Sequence, residues 1–252
     1  MKIALVGSAP ASARLAPYGN PDWKIWGCSP GLYGVAPRID EWFELHLWEP
    51  GAPWFSPEYC QWLAALPGRG VALWTGSSIE ALPGSRMLPR DELLAHVDDR
   101  ECWFCSSSLY WMMARAIAVI DAARAQRATD APPEHDIIGF WGVDMAAGEE
   151  YEMQRAGIHY LSKLAKARDI EVGAPPESDL FTPRFCYGFD EWTHSFRKVR
   201  ARRAEMEQRQ RDLEAQARQA AEGVAFFKGA LENLKYMHET WADKGLHTGP
   251  LS

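Results

Sequence analysis

The chain contains neither Gly-x-Gly-x-x-Gly nor Gly-Lys-Ser/Thr, so it has neither the dinucleotide fingerprint nor a P-loop. The histidines are dispersed, and Cys102-Trp-Phe-Cys105 has no second cysteine pair at zinc spacing, so no metal site is expected. No apolar run approaches the roughly 18–20 residues that span a bilayer. No basic stretch precedes the first apolar run, so no signal peptide is expected, and an odd five cysteines suit a reducing cytoplasm. A basic excess is missing too. The formal net charge is −7, and residues 1–196 hold −10 of it, which argues against broad nucleic-acid binding and the phosphate neutralisation that drives it.

What is present begins in the first thirty residues. The apolar run Lys2–Val6 stops at Gly7-Ser8-Ala9-Pro10-Ala11-Ser12, and Trp23–Trp26 stops at Gly27-Cys28-Ser29-Pro30-Gly31. Strands that end in small, hydroxyl-bearing loops mark the phosphate side of an open α/β sheet. Small residues let backbone N–H groups approach an anion, and a following helix N-terminus adds a favourable dipole.

Further along, apolar runs alternate with helical stretches. Strands are expected at Lys2–Val6, Lys24–Trp26, Glu41–Leu45, Val71–Trp74, Cys102–Phe104, Ile137–Trp141 and Ile170–Val172. Helices are expected at Pro57–Leu66, Arg90–Ala95, Ser107–Gln126 and Glu149–Arg168. This alternation predicts an α/β fold, a Rossmann-like, mostly parallel sheet with helices on both faces, over residues 1–190. Ile137–Trp141, the most apolar strand, is expected at its centre. Twelve tryptophans serve mainly as core, with one or two near strand ends free to line a pocket for a flat ring.

Beyond residue 190 the pattern changes. No proline occurs from Thr193 to Asp243, and Val199, Met206, Leu213, Ala220, Phe227, Leu234 and Trp241 recur every seven residues. A second seam of Ala217, Val224 and Leu231 accompanies it only in the distal half, Arg203 and Gln210 standing at the earlier positions. Residues 191–252 therefore read as a long helical, coiled-coil-like arm, on the order of 70 Å. Its expected role is self-association into a homo-oligomer, or docking.

Candidate chemistry lies after the strands. Glu44 and His46 share a strand face, and a carboxylate beside an imidazole tunes it toward general-base work. Ser106, Ser107 and Ser108 precede an Ala-rich helix; one hydroxyl suffices to cap it, so the others are available to a phosphate. Asp144 follows the apolar strand Ile137–Trp141, where an acid holds a ribose hydroxyl or a metal, or caps the next turn. Tyr151, Arg155 and His159 share one helix face at i, i+4, i+8.

Taken in order, these loops resemble the bacterial sialyltransferases of the Campylobacter type and the related pterin-pyrophosphokinase-like proteins. Val6-Gly-Ser-Ala-Pro10 with Ser12 resembles their opening loop, and Gly27-Cys28-Ser29 lies where they have Cys-Asn. Ser106-Ser107-Ser108-Leu-Tyr110 resembles their Thr-Ser-Gly-x-Tyr, and Gly142-Val-Asp144-Met145 their Gly-Ile-Asp-Phe/Met. The likeness covers residues 1–173 in four short patches. It implies that Gly7, Ser8, Ser12, Ser29, Ser107 and Asp144 bind a nucleotide. Ser106 is expected to join them, and the ligand to be a nucleotide or nucleotide sugar, with or without Mg²⁺. Glu44, His46 or His159 would then be the base. Ser8 and Ser29 stand where the family has Asn, and His159-Tyr160 falls within a helix rather than in the loop that carries the family's base. The whole chain also resembles uncharacterised proteins of tailed phages and prophages, which implies a host cytoplasm.

Two functions are therefore expected. One is a nucleotide-dependent transferase. The other is a non-catalytic assembly or host-interaction protein of the phage type, working through its arm. A membrane is not expected as a partner, nor is nucleic acid.

Overall fold

The computed structural model describes residues 1–127, 135–145, 149–181 and 194–242. The chain divides into two units, Met1–Thr182 and Pro183–Ser252. The expected boundary at residue 190 lies outside the described residues.

The first unit is built on a seven-stranded sheet in the order β5-β4-β3-β2-β1-β6-β7. Its strands are β1 (Lys2–Val6), β2 (Trp23–Cys28), β3 (Glu41–Glu44), β4 (Ala72–Thr75), β5 (Arg86–Met87), β6 (Ile137–Trp141) and β7 (Glu171–Gly173). Every neighbouring pair is parallel. In this unit the helices are α1 (Pro10–Ala13), α2 (Pro57–Ala65), α3 (Arg90–His96), α4 (Ser108–Ala125) and α5 (Glu149–Ala167). The fold is Rossmann-like α/β.

Side-chain alternation distributes the core. Ile3, Leu5, Trp26 and Phe43 point to the face covered by α3, α4 and α5, while Ala4, Val6, Ile25 and Trp42 point to the face covered by α1 and α2. α4 is buried along most of its length, with Met112, Met113, Ala116, Ile117 and Ile120 at 0 % exposure; this explains its low amphipathic contrast.

Two expectations are corrected. Cys102–Phe104 is not a strand. The buried Asp99 carboxylate accepts the N–H groups of Trp103 (2.9 Å) and Phe104 (3.2 Å) and the Tyr110 hydroxyl (2.7 Å). The apolar run is thus wound around a carboxylate, and Cys102 takes φ +57°. The strand that extends this edge is β5, two exposed residues with no apolar signature. β6, expected at the centre, is next to the edge strand β7.

The strand order sets the position of a crevice. From β1 the chain builds outward to β5, then returns through α4 to place β6 on β1's other side. β1 and β6 are therefore the topological switch point, where an open parallel sheet leaves a crevice beyond its strand ends.

The second unit contains α6 (His194–Met237), 44 residues, followed by a π-helical stretch at His238–Ala242. At 1.5 Å per residue it is about 66 Å long. Its side chains from Arg200 onward are almost all exposed.

Candidate functional site

A cavity of about 830 Å³ opens at this crevice. Its walls are the loops that leave β1, β2, β3 and β6, together with the first turn of α4, Gln154 and Asp179.

Gly7 and Gly142 bring the two central loops together. The Gly7 N–H donates to the Trp141 carbonyl and the Ala9 N–H to the Gly142 carbonyl, each at 2.9 Å. A Cβ on Gly142 would stand 2.3 Å from the Gly7 carbonyl oxygen, and the Gly142 backbone takes φ +65°. A Cβ on Gly7 would stand 2.5 Å from the Gly142 oxygen. Only glycine fits at either position. Ser12 adds a third tie, its buried hydroxyl accepting the Gly142 N–H at 2.8 Å. Ser12 therefore braces the site from behind and does not line it.

On the β2 side, Ser29 sits at φ +78°, which is strained for a residue with a side chain. Its hydroxyl donates to that of Ser8 at 3.4 Å, and both residues face the cavity. Opposite them, Ser107 caps α4 by accepting the Tyr110 N–H at 3.1 Å. The Ser106 hydroxyl donates to the Met153 carbonyl at 3.4 Å. Ser108 forms no side-chain hydrogen bond within the described residues and also lines the cavity. The positive end of an 18-residue helix, whose Ser108 and Leu109 N–H groups have no intrahelical partner, thus points at the crevice.

The carboxylates differ sharply. Glu44, 1 % exposed, is saturated. Its Oε1 meets His46 Nδ1 at 2.5 Å and accepts the His46 N–H at 3.2 Å; its Oε2 accepts the Tyr59 hydroxyl at 2.5 Å. Tyr59 in turn accepts the Trp42 indole N–H at 3.1 Å. The hydrogen bond to Glu44 raises the His46 pKa above its ordinary value, and the carboxylate's charge adds to the rise while burial opposes it. Only His46 of this chain reaches the cavity wall. Burial, with a smaller contribution from Glu44, pushes the nearby Cys28 thiol up to about 12. Cys105, also on the wall, is pushed up to about 12 by burial and by its contact with Cys102. Neither thiol is a thiolate nucleophile.

Asp144 is the opposite case. Its Oδ1 is buried without a hydrogen-bond partner among the described residues. Desolvation first, and then the charge of Asp179, raise its pKa, while a hydrogen bond from the Asp179 backbone N–H opposes the rise. Asp179 Oδ1 accepts the Met145 N–H at 2.7 Å. No Lys or Arg is among the described lining residues, so an anion here would meet N–H groups, hydroxyls and His46. Among the described residues no group of three His, Cys, Asp or Glu side chains is placed to hold a metal.

His159 does not face the cavity. Its Nε2–H donates to the Leu180 carbonyl at 2.8 Å, the Arg155 Nε–H donates to the same oxygen at 3.2 Å, and the imidazole stacks on Phe181. Ser178 donates to the Val143 carbonyl at 2.5 Å. Together they fix the segment that presents Asp179. The Tyr151 side chain, the stripe's first member, lies outside the described residues.

Of the residues expected at a site, the fold therefore gathers Gly7, Ser8, Ser29, His46, Ser106, Ser107 and Asp144 around one cavity. Ser12, Glu44 and His159 do not line it. Cys28, Trp111, Gln154 and Asp179 line the cavity without having been expected there as ligand contacts. Trp111 lies in the first turn of α4, whereas the tryptophans near strand ends do not line this cavity. No protein-family model, curated protein or solved structure matches the chain.

Proposed function

We propose that the crevice binds a nucleotide-activated donor and that the protein transfers a group from it, in the manner of the glycosyltransferase- and pyrophosphokinase-like proteins its loops resemble. The observation that carries this reading is the Asp144 Oδ1, buried and unpartnered among the described residues, beside a glycine-locked loop pair at the switch point. A buried carboxylate oxygen without a partner is costly, and a ribose hydroxyl or a cation arriving with the ligand removes that cost. The donor's phosphates would lie against the Gly7–Pro10 loop and the α4 N-terminus, where N–H groups and serine hydroxyls take their charge. Asp144 and Asp179 suit Mg²⁺ only when ligand phosphates complete its shell.

His46, oriented through Nδ1 by Glu44, would take the acceptor's proton at Nε2. The acceptor would approach from the shallow hollow of about 690 Å³ formed by Leu47, Trp48 and residues 77–81, which adjoins His46 in the chain.

The test is a thermal-shift screen against nucleotides and nucleotide sugars, with and without Mg²⁺. A ligand at about 100 times its dissociation constant adds about 2.7 kcal/mol. The expected result is a shift confined to one nucleotide class, and stability unchanged by every nucleotide overturns the reading. A second reading, a non-catalytic assembly or host-interaction protein, is favoured by the apolar residues that α6 leaves exposed. Ser8→Ala with Ser107→Ala abolishes function under the first reading and leaves it intact under the second.

A further inference from the structure

α6 carries more information than one apolar seam. With Met206, Leu213, Ala220, Phe227 and Leu234 at the d positions of a heptad, the a positions are Arg203, Gln210, Ala217, Val224 and Leu231. Leu213, Val224, Phe227, Leu231 and Leu234 are each more than 60 % exposed. Helices of this kind are held mainly by packing an apolar face, and Gly223 and Gly229 weaken this one further. An uncovered seam about 42 Å long, from Met206 to Leu234, therefore requires a partner of the same length.

We infer that the partner is a second copy of α6, parallel and in register. The argument comes from the residues that flank the seam. Arg202 and Arg209 occupy g positions, and Glu207 and Glu214 occupy e positions. In a parallel, in-register pair each g residue meets the e residue five positions further along the other helix. Arg202 then faces Glu207 of the partner subunit, and Arg209 faces Glu214 of the partner subunit. Symmetry repeats both pairs. An antiparallel pair that stacks a on d positions, Ala217 on Phe227 and Val224 on Ala220, would set Glu207 and Glu214 against lysines but Arg209 against Met237, so only the parallel pair gives Arg209 as well as both glutamates a complement.

Within the single helix the same groups make exposed pairs, Arg202 and Arg209 with Glu205 and Arg203 with Glu207, at 2.7–2.8 Å. Such pairs are weak and exchange readily for partners across an interface. The polar Arg203 and Gln210 at a positions lower stability but favour a defined register and two strands. The division of labour is clear: the distal apolar half supplies affinity, and the charged proximal half supplies orientation. This inference is independent of the nucleotide reading.

Sedimentation equilibrium of the full chain at tens of micromolar tests it, the expected mass being twice 28.4 kDa. Two charge variants then test orientation, Glu207→Arg with Glu214→Arg, and Arg202→Glu with Arg209→Glu. All four side chains are exposed, so both variants keep the fold, which circular dichroism checks. Each variant alone should self-associate at least about tenfold more weakly, and their equimolar mixture should recover wild-type affinity as a heterodimer. A monomeric wild type, as expected if α6 instead docks on its own chain, overturns the proposal. So does a mass other than that of a dimer, or a mixture no tighter than the separate variants.

Discussion

Glu44, behind the β3 end of the crevice, and Asp144, at its β6 end, are both carboxylates with desolvated oxygens, yet their surroundings are opposite. Both Glu44 oxygens are engaged, by His46 and by a Tyr59 hydroxyl that Trp42 supports. Asp144 keeps one buried oxygen with no partner among the described residues and a second carboxylate nearby. A saturated carboxylate stabilises the fold and orients its neighbour, whereas an unsatisfied one lowers stability until something binds. The contrast separates the scaffold of the site from the part of it that awaits a ligand.

The comparison breaks first where the rim itself is broken. Gly142→Ala forces a Cβ to 2.3 Å from the Gly7 oxygen at a positive φ, and the expected loss is about 3 kcal/mol or more in urea unfolding. Glu44→Ala strands the His46 and Tyr59 donors and should cost about 3 kcal/mol by the same measurement. Tyr59→Phe removes one donor to Glu44 and should cost about 1–2 kcal/mol. Asp144→Asn inverts the sign: with no ligand it should match the wild type or exceed it by up to about 1 kcal/mol. If Asp144→Asn destabilises as much as Glu44→Ala, the two carboxylates are equivalent and the contrast fails.

Proton linkage sharpens the same contrast with smaller effects. Both His46 and Asp144 have folded pKa values raised above their ordinary ones. A raised group contributes stability that is full below its unfolded value and is lost as pH rises through its folded value. For Asp144 that loss begins above about 3.8, and for His46 above about 6.5. Unfolding followed against pH should lose the lower component in Asp144→Asn and the upper one in His46→Gln. A base at His46 further requires activity to rise with pH through its raised pKa, since only neutral imidazole accepts a proton.

The legible parts of the site were those encoded by neighbours in sequence. Gly7-Ser8 and Gly27-Cys28-Ser29 follow apolar runs directly, and Glu44 and His46 meet because alternation puts i and i+2 on one face. Long-range partners were not legible. Tyr59 reaches Glu44 from a helix fifteen positions later. Asp179 stands in a proline-containing irregular segment whose shape depends on His159 and Arg155 holding the Leu180 carbonyl. The same stripe of polar residues on α5 reads equally as a catalytic face or as a brace, and in the fold its Arg155 and His159 hold the Leu180 carbonyl. Cys102–Phe104 looked like a strand because three apolar residues carry no sign of the Asp99 carboxylate that curls them. β5, exposed and two residues long, leaves no periodicity to read.

The most direct measurement is calorimetric titration of the wild type and Asp144→Asn with the nucleotide selected by the thermal-shift screen, with both unligated proteins unfolded in parallel. The account predicts binding by the wild type and at least about tenfold weaker binding by Asp144→Asn, about 1.4 kcal/mol, with unligated stability at or above the wild type. Equal affinity in the two proteins, or a variant that binds poorly only because it is less folded, would contradict it.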